Sequence, residues 1–348
     1  MKKAFNTLNV ALVLLIVLSC ATGAFAQNSS FEPGARTLVD AHNCYPYFEW
    51  WADRIDRALS SGIPIAIEQD PVWYTDPRTG RSWSVVAHGA PITGHEPTLE
   101  QYFFERIRPV VEDALRRGNH GDWPLITLNL DFKTEEPEHL TAVWSLLSNY
   151  RDWLTTAVRS ADRQRLEPLD IKPVLVLTGE SDKQEKVFYS DVPVGQRLLL
   201  FGAVHTNTKD PMAAPQILDP EPASNYRRWW NNSWAVVERG GQTKAGEWTK
   251  EDELRLRSLV EHAHGNGLWI RFYTLDGATK EELSCHGWFH SYNFGSLSAA
   301  HQRWEAAQNA RVDFIASDQY ELLAAFLKNE PKAAERIKPV EKSNSGCH

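Results

Sequence analysis

Five residues capable of polar chemistry stand directly at or after short apolar runs. His42 follows residues 37–41, Glu68 and Asp70 follow 63–67, His88 follows 84–87, and Asp131 follows 125–130. Side chains at i and i+2 of a strand share a face, so Glu68 and Asp70 bring two carboxylates to one side. Two carboxylates held together repel, and burying both as ions is costly without a partner. A divalent cation resolves that conflict, and Asp131 offers a third oxygen ligand. Three carboxylates suit a hard ion, Mg²⁺ or Ca²⁺, with water and substrate oxygens completing its shell. His42 and His88 can then supply the acid and the base that cleavage of a phosphodiester needs near neutral pH.

Further residues extend this set. Lys133 lies two positions after Asp131 and shares its face. It can neutralise phosphate charge as it spreads in a transition state, or serve as the salt partner of the acids. Asn43 is a hydrogen-bonding candidate for the metal shell or the phosphate. His205, Arg271 and Tyr273 belong to later strands and are substrate-binding candidates, although polar residues there more often have structural work.

The elements that must position these residues follow from the pattern. Apolar runs at 37–41, 63–67, 84–87, 125–130, 173–177, 197–204, 268–273 and 312–316 predict eight strands. Helical spacing predicts helices at 50–61, 98–117, 136–158, 250–264, 298–310 and 320–328, with Thr98 and Gly118 as the cap and stop of the second. Strands alternating with helices imply a parallel sheet, and eight of them imply a single (β/α)8 TIM barrel over residues 27–330. A doubly wound sheet is disfavoured because no glycine-rich phosphate turn follows the first strand. Residues 211–234, rich in proline, asparagine and tryptophan, read as a long loop and a candidate lid. Residues 331–348 read as a flexible polar tail.

Composition narrows the function classes. Lys2 and Lys3, the apolar run 10–18 and Ala24-Phe25-Ala26 form the pattern of a cleaved secretory signal over residues 1–26. Lipid attachment at Cys20 is the weaker alternative, since Leu18 fits that motif poorly. A secreted or periplasmic protein is therefore expected. Formal charge is −8, and loss of Lys2 and Lys3 takes it to −10. That argues against a nucleic-acid binder relying on phosphate neutralisation, though not against a small anionic substrate. Cys44, Cys285 and Cys347 permit one disulfide of undetermined pairing, and no C-x-x-C supports a structural zinc. The 14 tryptophans are read mainly as packing, with Trp50-Trp51 and Trp229-Trp230 as alternative mouth residues.

His42, the Glu68-Gln69-Asp70 triplet, Val85-Val-Ala-His88 and Asp131-Phe-Lys133 together resemble the PLC-like phosphodiesterase superfamily. That group includes glycerophosphodiester phosphodiesterases, sphingomyelinases D and phosphatidylinositol-specific phospholipases C. The resemblance spans nearly all of residues 27–348, with its motifs concentrated in 40–134. It implies a distorted TIM barrel, Mg²⁺ or Ca²⁺ on Glu68, Asp70 and Asp131, and His42 with His88 as the acid–base or nucleophile pair. It also implies a small phosphodiester or phospholipid headgroup as substrate and transient contact with a membrane surface, with no nucleic-acid or protein partner. Where glycerophosphodiesterases show H-R-G and H-D, this chain has His42-Asn43-Cys44 and His88-Gly89, closer at the second site to sphingomyelinase D. The rival readings are a sugar-cleaving barrel, which needs two carboxylates and no metal, and a binding barrel without turnover.

Overall fold

The computed structural model describes residues 31–46, 52–89, 91–219, 221–241, 245–280, 282–283 and 293–329. The expectations for the signal (1–26), Cys20, Cys285, Cys347, Trp50-Trp51 and the tail 331–348 lie outside the described residues.

In chain order the strands are β1 (Leu38–Ala41), β2 (Ile65–Gln69), β3 (Pro71–Thr75), β4 (Ser82–Val86), β5 (Ile126–Leu130), β6 (Thr156–Val158), β7 (Leu169–Asp170), β8 (Val174–Thr178), β9 (Arg197–Leu198), β10 (Phe201–Ala203), β11 (Arg227–Ser233), β12 (Trp269–Tyr273) and β13 (Phe314–Ser317). Eight of them close into a parallel barrel in the order β1-β13-β12-β11-β10-β8-β5-β2. This is the TIM-barrel architecture expected from the alternation of strands and helices. Every residue of β2, β5 and β8 is buried, because helices cover the outside while side chains fill the inside. Helix Glu105–Arg117 ends where expected, on Gly118 in the left-handed conformation (φ 64°).

Three predicted elements are corrected. Residues 84–87 do not form a barrel strand; 84–86 belong to β4, which pairs antiparallel with β3 in a hairpin outside the barrel, and Ala87 follows it. The turn between them closes through Gly80 N–H to Asp76 O (2.8 Å) and Asp76 N–H to Arg81 O (2.8 Å). The eighth barrel strand is instead β11, inside the segment read as a lid. Arg227, Arg228, Trp229 and Trp230 are all buried, so the C-terminal part of that segment is barrel wall and not lid, and Trp229-Trp230 are core rather than mouth. Five of the seven residues of β11 are polar or charged, which imitates a loop. Part of this polarity is met inside the fold, as where Arg227 pairs with Glu185 (2.5 Å) and Asn231 accepts from Arg271 (3.0 Å). Finally, the helix predicted over 136–158 stops at Asn149, and 156–158 form β6 in a small sheet with β7 and β9.

The β3–β4 hairpin is held to helix Pro137–Asn149 by His139, which is wholly buried. Its Nε2 lies 2.9 Å from Ser84 Oγ and its Nδ1 3.0 Å from Thr134 O, and its ring stacks on Trp73 at 5.4 Å. Burial pushes its pKa down from 6.5 to about 4, against the pull of the Thr134 carbonyl and of Glu136. An unfolded chain therefore takes up this proton before the folded one does as pH falls. The stability tied to His139 is complete above pH 6.5 and is lost as pH falls toward 4, amounting to about 3 kcal/mol. Denaturant unfolding of wild type and His139→Gln across that window should show a flatter profile for the variant. Parallel profiles would remove His139 as the source.

Candidate active site

The C-terminal ends of β1, β2, β5, β12 and β13 converge on one cluster. In barrels of this kind that end carries the chemistry. β1 and β13 run in register, Ala41 opposite Ser317, so the residues that follow them, His42 and Asp318, meet. His42 Nδ1–H donates to Asp318 Oδ1 at 2.9 Å, and its Nε2 lies 3.7 Å from Glu68 Oε1. Asn43 has a positive φ of 52°, which Asn tolerates better than most residues. From there its amide donates to both oxygens of Asp318, at 3.0 and 3.3 Å. Tyr45 donates to Asn43 Oδ1 at 3.0 Å. Asp276 accepts from Ser317 Oγ (2.6 Å) and from the Asp318 N–H (2.7 Å), fixing the turn that presents Asp318.

Glu68 and Asp70 leave β2 on the same side, as the i, i+2 spacing requires, and both are buried. Arg271 on β12 reaches across the barrel. It pairs with Asp40 of β1, donates to Glu68 Oε2 at 2.5 Å, and bonds Asn231 Oδ1 at 3.0 Å. Asn129 also donates to Glu68 (3.3 Å). Asp70 is different: neither carboxylate oxygen accepts a hydrogen bond, and Lys133 Nζ stands 3.2 Å from one of them as an ion pair. Lys133 also pairs with Asp131 at 2.5 Å, and Asp131 is half exposed at the mouth. Oxygen atoms of Glu68, Asp70 and Asp131 lie within 4.8 Å of one another.

The electrostatics follow from this packing. Burial penalises the ionised form of Asp70, Glu68 and Asp131 beside it add to that, and Lys133 does not compensate, so its pKa is pushed well above the carboxylate range. Glu68 is buried too, but His42 and Arg271 outweigh that and hold it at about 2. Burial would lower His42; Glu68 and the Asp318 hydrogen bond overcome it and raise it to about 9. Burial raises Asp276, beside Asp318, to about 7. Six carboxylates (Asp40, Glu68, Asp70, Asp131, Asp276, Asp318) face four cationic groups (Arg271, Lys133, His42 and Arg54, which is buried beside Asp318). The excess is acidic, and Asp70 is where it is least compensated. Orphaned buried oxygens on Asp70, next to two more carboxylates, fit a hard divalent cation held by Glu68, Asp70 and Asp131.

His88 sits half-buried at the edge of this cluster, carried by the hairpin rather than by a barrel strand. Its ring stacks on Tyr45 at 5.6 Å, and burial together with Lys133 lowers its pKa. Tyr273 stacks on His42 (6.2 Å, 13° between planes) and lies under the Arg271 guanidinium at 5.3 Å. Thr274, the next residue, is held at φ 73°, a strained conformation for a β-branched residue.

The structure thus gathers His42, Asn43, Glu68, Asp70, Asp131, Lys133, Arg271 and Tyr273, with His88 at the edge. It does not bring His205 in: that ring pairs with Asp182 at 3.1 Å, beside the Arg227–Glu185 ion pair. Arg271 is buried as an internal counter-ion of Asp40 and Glu68, not exposed for substrate. Asp40, Tyr45, Asp276 and Asp318 are site residues that the sequence reading passed over. Asp40 carries the i, i+2 signal with His42, and Asp318 stands just beyond an apolar strand, the same signal that marked the other residues.

No protein-family model matches the chain, and no curated protein does. Among solved structures it is similar to a glycerophosphoryl diester phosphodiesterase from Parabacteroides distasonis (16% identity, TM-score 0.42, covering 88% of this chain and 89% of that one). It is also similar to a calcium-dependent phosphoinositol-specific phospholipase C from a Gram-negative Pseudomonas species (14%, 0.43, 83% and 90%). A 7,8-dihydropteroate synthase from Vibrio fischeri is similar as well (11%, 0.37, 88% and 96%).

Proposed function

We propose that this chain is a secreted, divalent-metal-dependent phosphodiesterase acting on glycerophosphodiesters or phospholipid headgroups by histidine acid–base catalysis. The observation that carries the reading is Asp70, fully buried with no hydrogen bond to either oxygen, beside Glu68 and Asp131 and across from the His42–Asp318 pair. The motif resemblance of residues 40–134 to PLC-like phosphodiesterases points the same way.

Glu68, Asp70 and Asp131 would hold a Mg²⁺ or Ca²⁺ ion, which would supply charge stabilisation to phosphoryl oxygens. The remaining work falls to the chain itself. Asp318 fixes His42 through Nδ1, and Nε2, 3.7 Å from Glu68 Oε1, is the atom that would carry the proton. His88, at the rim, is the second proton carrier, and Lys133 places an ammonium beside the acids where phosphate charge would spread. Tyr273, flat against His42, limits the ring's freedom. Arg271 keeps Glu68 ionised. One histidine assists attack by water or a substrate hydroxyl, and the other protonates the departing oxygen.

Purified protein, a p-nitrophenyl phosphodiester and a headgroup panel test this reading. Activity should vanish in EDTA and return with Mg²⁺ or Ca²⁺; turnover indifferent to chelation would sink it. A p-nitrophenolate leaving group needs little protonation, so it also tells the histidines apart. The alanine variant that keeps most of its activity on that ester, yet loses about 10²-fold or more on an alkyl ester, has lost the acid.

A further inference from the structure

We infer that His139, away from the reacting groups, is a positioning residue that fastens together the three segments delivering Asp70, His88 and the Asp131–Lys133 pair. The inference rests on the phosphodiesterase reading for its catalytic consequence and on packing alone for its mechanical part.

The three segments meet on one ring. Trp73 lies three residues after Asp70, Ser84 four residues before His88, and Thr134 one residue after Lys133. His139 stacks on Trp73 (5.4 Å, 22° between planes) and meets Phe132 edge-on at 5.2 Å. Its Nδ1–H donates to Thr134 O at 3.0 Å, so in the neutral ring Nε2 accepts from Ser84 Oγ–H at 2.9 Å. Thr134 Oγ1, 3.0 Å from Nδ1, in turn accepts from the Trp73 N–H at 2.7 Å. Two backbone bonds continue the lock: Lys133 N–H to Pro71 O (3.0 Å) and Ala87 N–H to Asp70 O (2.9 Å).

The hairpin needs such a fastening. It lies outside the barrel ladder, and its own apolar cluster is small, formed by Val72, Val85 and Ala87 with Tyr74, Trp83 and Ile92 against it. An isolated two-stranded hairpin is marginal in water. Its tip is exposed while its base is buried. His139, with no exposed surface, is a polar link between the middle of the hairpin, at the Trp73–Ser84 pair, and helix Pro137–Asn149. Without it the hairpin keeps its turn and its backbone bonds at Pro71 and Val86 but loses its side-chain tie to the helix, and His88 shifts relative to Asp70 and Lys133.

His139→Leu fills the volume without polar atoms, while His139→Gln restores a donor and an acceptor. Hydrogen exchange of residues 71–86 and steady-state kinetics are read on both, after thermal unfolding shows each folded. Expected for Leu are faster exchange confined to 71–86 and 131–134, and kcat lowered about 10- to 100-fold with KM within about threefold, since small misplacements cost that much. Gln should recover most of both. Exchange unchanged in the Leu variant overturns the anchor, and faster exchange with kcat intact overturns the catalytic consequence. A wild type without turnover overturns the phosphodiesterase reading alone, because exchange is read without substrate.

Discussion

His42→Ala and Asp318→Ala each lower kcat by about 10²- to 10⁴-fold, the range that one positioned acid–base group contributes. The double variant is no worse than the weaker of the two by more than about threefold, because residues acting as a unit are not additive. The reason lies in one oxygen. Asp318 Oδ1 accepts from both His42 Nδ1 and Asn43 Nδ2, and Asp276 holds the Asp318 backbone in place. Without Asp318 the ring loses the partner that fixes its tautomer and turns its Nε2 outward. Asp318→Asn is no milder, up to about 10⁴-fold: even with its oxygen kept toward His42, the amide carries no charge to fix the tautomer or offset the imidazolium. Its NH₂ then faces the Asn43 amide, donor against donor, so Asn43 loses an acceptor that the wild type provides at 3.3 Å. Single-turnover kinetics on an alkyl phosphodiester decide the matter. Fully multiplicative losses in the double variant would show that His42 and Asp318 act separately.

The site was legible where apolar strands run straight into polar residues, and illegible where polarity is spent inside the fold. Glu68 and Asp70 follow an uninterrupted apolar run and Asp131 a largely apolar one, so their position at the barrel mouth could be read directly. His88 was found by the same signal for a different physical reason: Val85-Val86-Ala87 are buried in a hairpin, not in the barrel wall. His205 carries that signal too, yet it turns to Asp182, because β10 opens beside the Arg227–Glu185 ion pair and not beside β1. Strand β11 hid in its own polarity. Arg227, Asn231 and Asn232 look like loop residues until the ion pair with Glu185 and the bond to Arg271 are in view, and those partners come from distant parts of the chain. Arg271 shows the same limit from the other side. Its place in a strand was clear, but only barrel closure, which sets β12 near β1 and β2, makes it the counter-ion of Asp40 and Glu68.

Asp70→Asn should raise stability without metal and abolish the response to it, and this reversal is the sharper signature of the acidic cluster. In the metal-free protein the Asp70 carboxylate is buried beside Glu68 and Asp131 with neither oxygen hydrogen-bonded. A buried acid with neither oxygen hydrogen-bonded, and with its Lys133 ion pair shared with Asp131, costs a fold heavily to ionise, whereas an amide of nearly the same shape has no charge to desolvate. Lys133 keeps Asp131 as its partner in the variant, so no new orphan cation arises. The expected gain in EDTA is about 1–3 kcal/mol in the free energy of unfolding. With divalent ion at about 100 times its Kd, the wild type gains about 2.7 kcal/mol by mass action, while the variant, lacking one of three oxygen donors, gains far less. The order of stability therefore reverses between EDTA and saturating Ca²⁺ or Mg²⁺. Thermal unfolding of both proteins under both conditions reads this without any substrate. If Asp70→Asn is the less stable protein in EDTA, or if the ion stabilises both equally, then Asp70 is a structural acid held by Lys133, and the three carboxylates do not form a metal site.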